Sequence, residues 1–342
     1  MSIAIDIGTR ALHLVQGQAS KSSIAIRQAV IEPIPSGLMQ DGIIREFGGL
    51  EMALKNMLAK NRIGDKSCVL TVNGSQIYTR ELDVPNAKVK ILDDVVAFEV
   101  QSSLSANKEV AVEYTLSKQK VTDKPELIHV RASAMPIDYI EDYHKLLHNC
   151  GLHPLALDIH PNALCKIIAD TTINDRPLTE GVSVMFVDIG AVTTTAYIIT
   201  NGEISYSRII PSGGIDIERY VISHNNDATG EDQIDIDKLD LSLANLRNDE
   251  PLGNAVRPLV TTINDGIQRI QQFLSGRLQN GKVDRIYLYG RTSIFNNFEK
   301  TLGEALGVPT EVIRKIGKVS MPKNQPIAPF INAIGAMIRQ QG

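Results

Sequence analysis

Two aspartates set the chemistry open to this chain. Asp6 stands in AIDIGTRALHLVQG, residues 4 to 17, and Asp188 in FVDIGAVTTTAYIITNG, residues 186 to 202. Each closes an apolar strand, and a glycine follows two residues on, Gly8 or Gly190. A strand that ends Asp-Ile-Gly and turns back through small polar residues bares several backbone N–H groups in a tight concavity. Such a concavity binds anions, above all phosphate. The glycines let the backbone approach a ligand with no Cβ in the way. Thr9 at the first turn, and Thr193 and Thr194 at the second, add hydroxyl donors. The aspartates would repel a bare phosphate, so they make sense around a divalent cation. Mg2+ is commonly held by one or two carboxylates, waters and phosphate oxygens. A single Asp-x-Gly at a strand end is most often a plain turn. Two of them, in equivalent places of a duplicated chain, point to a nucleotide clamp with Asp6 and Asp188 facing one cleft.

The duplication is visible in order along the chain. The first copy continues to SIAIRQAVIEPIPSG and the second to EISYSRIIPSGG, so Pro-Ser-Gly closes the third strand of both, at 35 to 37 and 211 to 213. A helical stretch follows in each. Leu50, Leu54, Met57 and Leu58 share one face of the first, and Ile263, Ile267, Ile270 and Leu274 share one face of the second. Next come the strands CVLTVNG and RIYLYG, the helices HKLLHNCGLHP and EKTLGEALGVP, and the small-residue helices PNALCKIIAD and INAIGAMIRQ, both holding Asn-Ala. Each half therefore reads as three antiparallel strands, helix, strand, helix, strand, helix. Helices packed on a mixed sheet are the α/β solution.

Two insertions break the symmetry. Residues 81 to 135 hold a helix, VKILDDVVAFEVQSSL, and two strands, EVAVEYTLSKQ and ELIHVRASA, joined through VTDKP. That suffices for a small α/β subdomain. Residues 215 to 258 are polar and acidic, with IDIDKLDLSLANL helical and NNDATGED a loop. The expected organisation is a first lobe over 1 to 80 and 136 to 180, the insertion over 81 to 135, and a second lobe over 181 to 214 and 259 to 342, interrupted by 215 to 258.

The bulk composition excludes other classes. Of 342 residues, 43% are hydrophobic and 22% charged, with a net charge of −4, as in a soluble globular protein of more than one core. No basic stripe marks a nucleic-acid surface. The three cysteines, Cys68, Cys150 and Cys165, have no CxxC spacing and read as buried reduced thiols. The N-terminus lacks a basic n-region and its apolar run breaks at Asp6, unlike a signal peptide. No apolar run reaches the roughly 18 residues of a membrane helix.

These residues resemble the actin and sugar-kinase ATPase superfamily, and within it the type IV pilus assembly PilM family, related to the division protein FtsA. The likeness spans nearly the whole chain. IAIDIGTRALHLVQ resembles the family's first phosphate motif and FVDIGAVTTTAYIITNGEISYSRIIPSGG its second. GLHPLALDIHPNAL resembles its Gly-Leu-x-Pro-x-x-x-Asp segment, and AIGAMIR its closing helix. The 81 to 135 insertion matches by position the subdomain that separates this group from actin. The resemblance implies a duplicated actin and ribonuclease-H-like fold, two lobes around a nucleotide cleft, and ATP with Mg2+ or Mn2+. It adds Gly213, Gly214, Arg269 and Gly290 to the cofactor-binding set and gives Asp6 and Asp188 to the metal. It implies a cytoplasmic scaffold at the inner face of the inner membrane, a slow ATPase at most. The scaffold would hold the N-terminal tail of a single-span PilN-like protein between the first lobe and the insertion, near residues 75 to 84 and 93 to 103. No direct membrane insertion is implied, and a homo-oligomer is open. No C-terminal amphipathic helix like that of FtsA is expected beyond IRQQG.

The chain also departs from the family pattern. Where the first motif carries serines and a lysine, it has Thr9-Arg10-Ala11 and His13. Where a Ser-Gly-Gly-Gly turn meets adenosine, it has Tyr289-Gly290-Arg291-Thr292. Gly266 replaces the glutamate that would meet the ribose, and Leu104-Ser105-Ala106 replaces Pro-Phe-Pro. Arg10 and Arg291 suit phosphate pairing or base stacking, and equally suit filling a site that takes no nucleotide. A scaffold with a degenerate clamp, an ATPase or small-molecule kinase of the same fold, and a division-type filament are the competing readings. His144, His148, His153 and His160 have a spacing seen in zinc sites, but no cysteine pair or glutamate base goes with them, so a solvated helix face is the reading. Glu231 to Asp240 lacks the glycine and closing glutamate of a calcium loop. Val95, Phe98, Val100 and Leu104 form an apolar face read as core before interface.

Overall fold

The computed structural model describes residues 2–104, 109–117, 124–178, 182–227, 236–276 and 282–339. The chain begins with β1 (Ser2–Ile7), β2 (Ala11–Ala19) and β3 (Ile24–Pro33), paired antiparallel in sequence order. A small hairpin, β4 (Met39–Gln40) with β5 (Ile43–Ile44), leads into α1 (Phe47–Lys60). The face of α1 that alternates apolar at three and four residues buries Leu50, Leu54 and Met57 against the sheet. β6 (Ser67–Val72) then returns parallel to β1.

The insertion follows as β7 (Tyr78–Pro85), α2 (Val89–Ser103), β8 (Val110–Leu116) and β9 (Leu127–Pro136). Its sheet is three-stranded and antiparallel in the order β7-β9-β8. The subdomain thus has one strand more than the two read from sequence. β7 falls on the stretch 75 to 84, which the family resemblance leads one to expect as a strand, and YTRELDVP buries only Leu82 and Val84. α2 covers one face with Leu92, Val96 and Val100. The apolar face read over Val95, Phe98, Val100 and Leu104 is split: Val100 is core while Phe98 is 70% exposed. VTDKP and Ser105-Ala106 lie wholly or partly outside the described residues.

The first half closes with α3 (Ile137–Asn149), β10 (His153–Ile159) parallel to β6, α4 (His160–Ile168), and the short pair β11 (Thr172–Ile173) and β12 (Arg176–Pro177). The second half repeats the plan with β13 (Val184–Ile189), β14 (Thr194–Thr200) and β15 (Glu203–Ile210), again antiparallel. It continues with α5 (Ile215–Asp227), α6 (Leu243–Asn248) and α7 (Glu250–Leu274). IDIDKLDLSLANL is one 3-10 turn over Ile236–Lys238 and then α6, not a single helix. α7 starts earlier than read, at Glu250, because Asp249 caps it: its carboxylate accepts the Leu252 N–H at 3.0 Å. Part of NNDATGED and of Glu231 to Asp240 lies outside the described residues. β16 (Arg285–Tyr289) is parallel to β13, and after α8 (Phe298–Leu306), β17 (Thr310–Val312) is parallel to β16.

The chain then crosses back. β18 (Val319–Ser320) adds to β3, completing a six-stranded sheet in the order β10-β6-β1-β2-β3-β18; the second sheet has five strands, β15-β14-β13-β16-β17. α9 (Ile331–Ala336) packs on α4 and reaches β1, β2 and β6. The two helices that end the repeats therefore lie against each other. They touch at Gly335, where a Cβ would sit 2.2 Å from the Ala163 carbonyl oxygen. Cys68, Cys150 and Cys165 are all free thiols; burial pushes Cys68 to about 12 and Cys150 to about 11.

Candidate functional site

The two Asp-x-Gly turns are built alike. The Gly8 N–H donates to the Ala11 carbonyl and the Gly190 N–H to the Thr193 carbonyl, both at 3.0 Å. Each aspartate sits on the middle of its sheet: Asp6 lies between His13 of β2 and Thr71 of β6, and Asp188 between Thr195 of β14 and Tyr289 of β16. β10 runs parallel beside β6, so its C-terminal end lies at the same sheet edge as Asp6. Ligand sites in such sheets form outside the carboxyl ends of the strands.

The structure brings Asp6 and Asp188 to one place, with His160 between them. The Nε2 of His160 is 2.9 Å from Asp6 Oδ1, and its Nδ1 is 3.5 Å from Asp188 Oδ2. Asn332, on α9, donates from Nδ2 to Asp188 Oδ2 at 2.9 Å. All four residues are buried, none more than 9% exposed. Burial pulls the His160 pKa down, but the charge of Asp6 and the hydrogen bonds to both carboxylates raise it to about 10. Burial pushes Asp6 up, and His160, with help from His13 and Asn332, outweighs that and holds it below its ordinary value. His13 goes the other way: burial lowers it more than the nearby carboxylates raise it. Its ring stands edge-on to Phe330 at 6.1 Å, and its nitrogens have no hydrogen-bond partner among the described residues. His13 thus packs against Phe330 where the family pattern has a lysine.

Around this centre the two lobes meet. Arg10 Nε lies 3.6 Å from Glu218 Oε2 of α5, where burial raises the glutamate against the pull of Arg10. Arg291 acts electrostatically on both His13 and Glu218. Asn73 donates across the lobes to Thr195 Oγ1 at 3.3 Å. The remaining candidates divide. Thr9 and Thr193 sit half-buried at the turn tips. Thr194 spends its hydroxyl on the Ser212 carbonyl at 2.8 Å, so it is not a ligand donor. Gly213 and Gly214 serve close packing within the chain: a Cβ on Gly213 would lie 2.5 Å from Ala191 backbone, and one on Gly214 2.3 Å from Thr292 Oγ1. Arg269 is exposed on α7 and makes no hydrogen bond or ion pair to the clamp among the described residues. The Gly266 position, where the family has its ribose glutamate, faces the Ile210 side chain, 2.5 Å from where a Cβ would stand.

A divalent cation between Asp6 and Asp188 does not fit these residues. The imidazole of His160 already spans the two carboxylates. Asp188 Oδ2 is taken by Asn332, and Oδ1 lies so close to Gly290 that a Cβ there would be 2.5 Å away. Among the described residues no group of three or more His, Cys, Asp and Glu is arranged to hold a metal. Arg10 Nε is buried without a hydrogen-bond acceptor among the described residues, with the Glu218 carboxylate 3.6 Å away.

Asn332 and Glu218 escaped the sequence reading, and His160, read with the other histidines as a solvated helix face, is instead buried between Asp6 and Asp188. Asn332 had a signal: it belongs to the repeated Asn-Ala, and its counterpart Asn162 likewise donates to an aspartate, Asp158 Oδ1, at 2.6 Å. His160 had a weaker one, its place just beyond the end of a parallel strand. The other histidines of that set lie elsewhere: His144 and His148 stack on the exposed side of α3 with ring centroids 6.5 Å apart, and His153 is exposed at the start of β10.

Two α/β halves of this topology, each offering an Asp-x-Gly turn to a shared cleft and joined by crossed terminal helices, define the actin-like fold. The sequence model for the family described as type IV pilus assembly protein PilM matches residues 4–328, and the chain belongs to that family. Among solved structures, a PilM-PilN type IV pilus biogenesis complex resembles it with a TM-score of 0.77 and 21% identity, covering 98% of this chain and 97% of the other. The ethanolamine utilization protein EutJ from Carboxydothermus hydrogenoformans follows the fold at TM-score 0.53 and 14% identity, over 98% and 88% of the chains. At such identities the likeness speaks for the fold. No helix among the described residues is long and apolar enough to cross a membrane.

Proposed function

We propose that the chain is a nucleotide-binding assembly scaffold, working at the inner face of a membrane. It captures the cytosolic N-terminal tail of a single-span protein of the PilN kind, between the first lobe and the 81–135 insertion. The observation that carries this is the edge of β7. In the order β7-β9-β8 it is an end strand, paired on one side with β9 among the described residues. Such an edge offers a row of backbone donors and acceptors to an extended peptide. On α2, which packs on this sheet, Ile91 and Phe98 are 54% and 70% exposed and seven residues apart, hence on one face. They would seat apolar anchors beside the added strand. Membership of the PilM family supports the reading, as does the likeness to a PilM-PilN complex. The clamp would take ATP or ADP through its turns, Arg10 and Arg291, with slow turnover if any.

One observation favours a second reading, a scaffold whose clamp holds no nucleotide. Ile210 and Thr292 stand close against Gly266 and Gly214, two positions that the family resemblance assigns to nucleotide contact. A melting-temperature shift with ATP or ADP decides between the two.

Partner capture is tested by calorimetric titration of the full chain with a synthetic peptide of the membrane partner's cytosolic N-terminus. Saturable binding, weakened at least about tenfold by Phe98→Asp with no change in melting temperature, is the expected result. Binding indifferent to Phe98→Asp and to a proline placed in β7 would contradict it.

A further inference from the structure

We infer that this clamp has exchanged its divalent cation for a histidine: His160 stands where the ion would sit, and the jaws take a nucleoside polyphosphate as the metal-free anion, on Arg10 and Arg291. The ligand half rests on the nucleotide reading above; the half concerning the ion does not.

The first support is space. Mg2+ needs a near-octahedral shell of oxygens at about 2.0–2.1 Å and keeps several waters. Between Asp6 and Asp188 that volume holds an aromatic ring, 2.9 Å from one carboxylate and 3.5 Å from the other. The ring is itself enclosed, since His160 is 8% exposed and Asn332 Nδ2 lies 3.1 Å from its Nδ1. The second support is the engagement of the carboxylates. Asp188 has Asn332 and His160 on Oδ2 and the Gly290 backbone against Oδ1. Asp6 has His160 on Oδ1. An incoming ion would have to expel the ring and break the Asn332 bond, which also ties α9 to the second sheet.

The third support is where the cations stand. Both jaws carry an arginine close after a glycine: Arg10 two residues after Gly8, and Arg291 directly after Gly290. Gly290 has φ +86, a conformation that L side chains rarely adopt, and Arg291 follows it directly, close enough to act electrostatically on His13 and Glu218. In a metal-dependent clamp the ion bridges carboxylate and phosphate. Here the carboxylates are met inside by His160, and planar guanidinium groups, the side chains best shaped to pair with phosphate oxygens, stand outside. Glu218 acts as the counter-charge that Arg10 gives up when phosphate arrives.

The test has two arms on the full chain. In the first, Mn2+ alone is titrated and followed by electron paramagnetic resonance of the free ion. Wild type is expected to show no saturable site, and His160→Ala to gain one that Asp188→Asn removes. A saturable Mn2+ site in wild type overturns the inference. So does failure of both His160→Ala and His160→Gln to gain one while their circular dichroism stays native. In the second arm, ADP and ATP binding is measured calorimetrically in EDTA and in excess Mg2+. Dissociation constants equal within about threefold support the inference. Binding that needs Mg2+ by more than about tenfold overturns it and leaves the nucleotide reading standing. No binding in either condition overturns the nucleotide reading and the ligand half with it, while the Mn2+ arm still decides the role of His160.

Discussion

His160 carries the charge balance of the clamp, and its protonation gives that balance a pH dependence. The groups that face the ring are Asp6 and Asp188 from the two first strands, Asn332 from α9, and His13 from β2. The carboxylates raise its pKa from 6.5 in the free side chain to about 10. The folded state therefore holds this proton more tightly than the unfolded chain. The stabilisation is fully present below about pH 6.5 and is lost as the pH climbs toward about 10. In circular dichroism melts, the difference in melting temperature between wild type and His160→Gln should be largest near about pH 6 and shrink steadily to about pH 10. A difference that widened over this range would mean the ring is neutral in the fold. At this scale the sequence was half legible. Asp6 and Asp188 were readable because the repeat writes the same turn twice. His160 was not, because its partner lies 154 residues away and the contact depends on β10 running parallel beside β6. Thr194 misled, since its hydroxyl belongs to its own hairpin.

The elements that hold the clamp are the crossed helices α4 and α9. α4 delivers His160 from its first position and α9 delivers Asn332 from its second residue. Their close approach depends on Gly335 facing the Ala163 backbone. Gly335→Ala should cost about 1–3 kcal/mol in chemical denaturation, because neither backbone can give way to the added methyl. Gly48→Ala, in α1, meets nothing within 4 Å and should stabilise by about 0.5–1 kcal/mol. Equal effects at the two sites would deny the crossing its structural role. Most helices and strands were readable from apolar periodicity, which reports a buried face directly, as Ile263, Ile267, Ile270 and Leu274 show. The early start of α7 hangs on a single cap, Asp249, which the apolar period does not mark, whereas β7, with only two buried residues, is reached through the family resemblance.

Over the whole molecule, the insertion is not an appendage to the first lobe alone. Arg131 of β9 is held by Glu81 of β7 at 2.8 Å and donates onward to the Ile204 carbonyl of β15 in the second lobe. Ser117 reaches Glu203 of the same strand. The strand proposed to receive the partner is thus one ion pair away from the second lobe, and the clamp joins the lobes again at Arg10 with Glu218 and Asn73 with Thr195. None of these contacts has a local pattern in the sequence, since they join segments whose meeting depends on both sheets being formed. They tie both the insertion and the first lobe to the second lobe. The account stands first on the docking edge, and amide hydrogen exchange of the full chain, with and without the partner's cytosolic N-terminal peptide, tests it most directly. Added protection concentrated in residues 78–85 of β7 and along α2 is the predicted result. Protection confined to other surfaces, or none at saturating peptide, would contradict it.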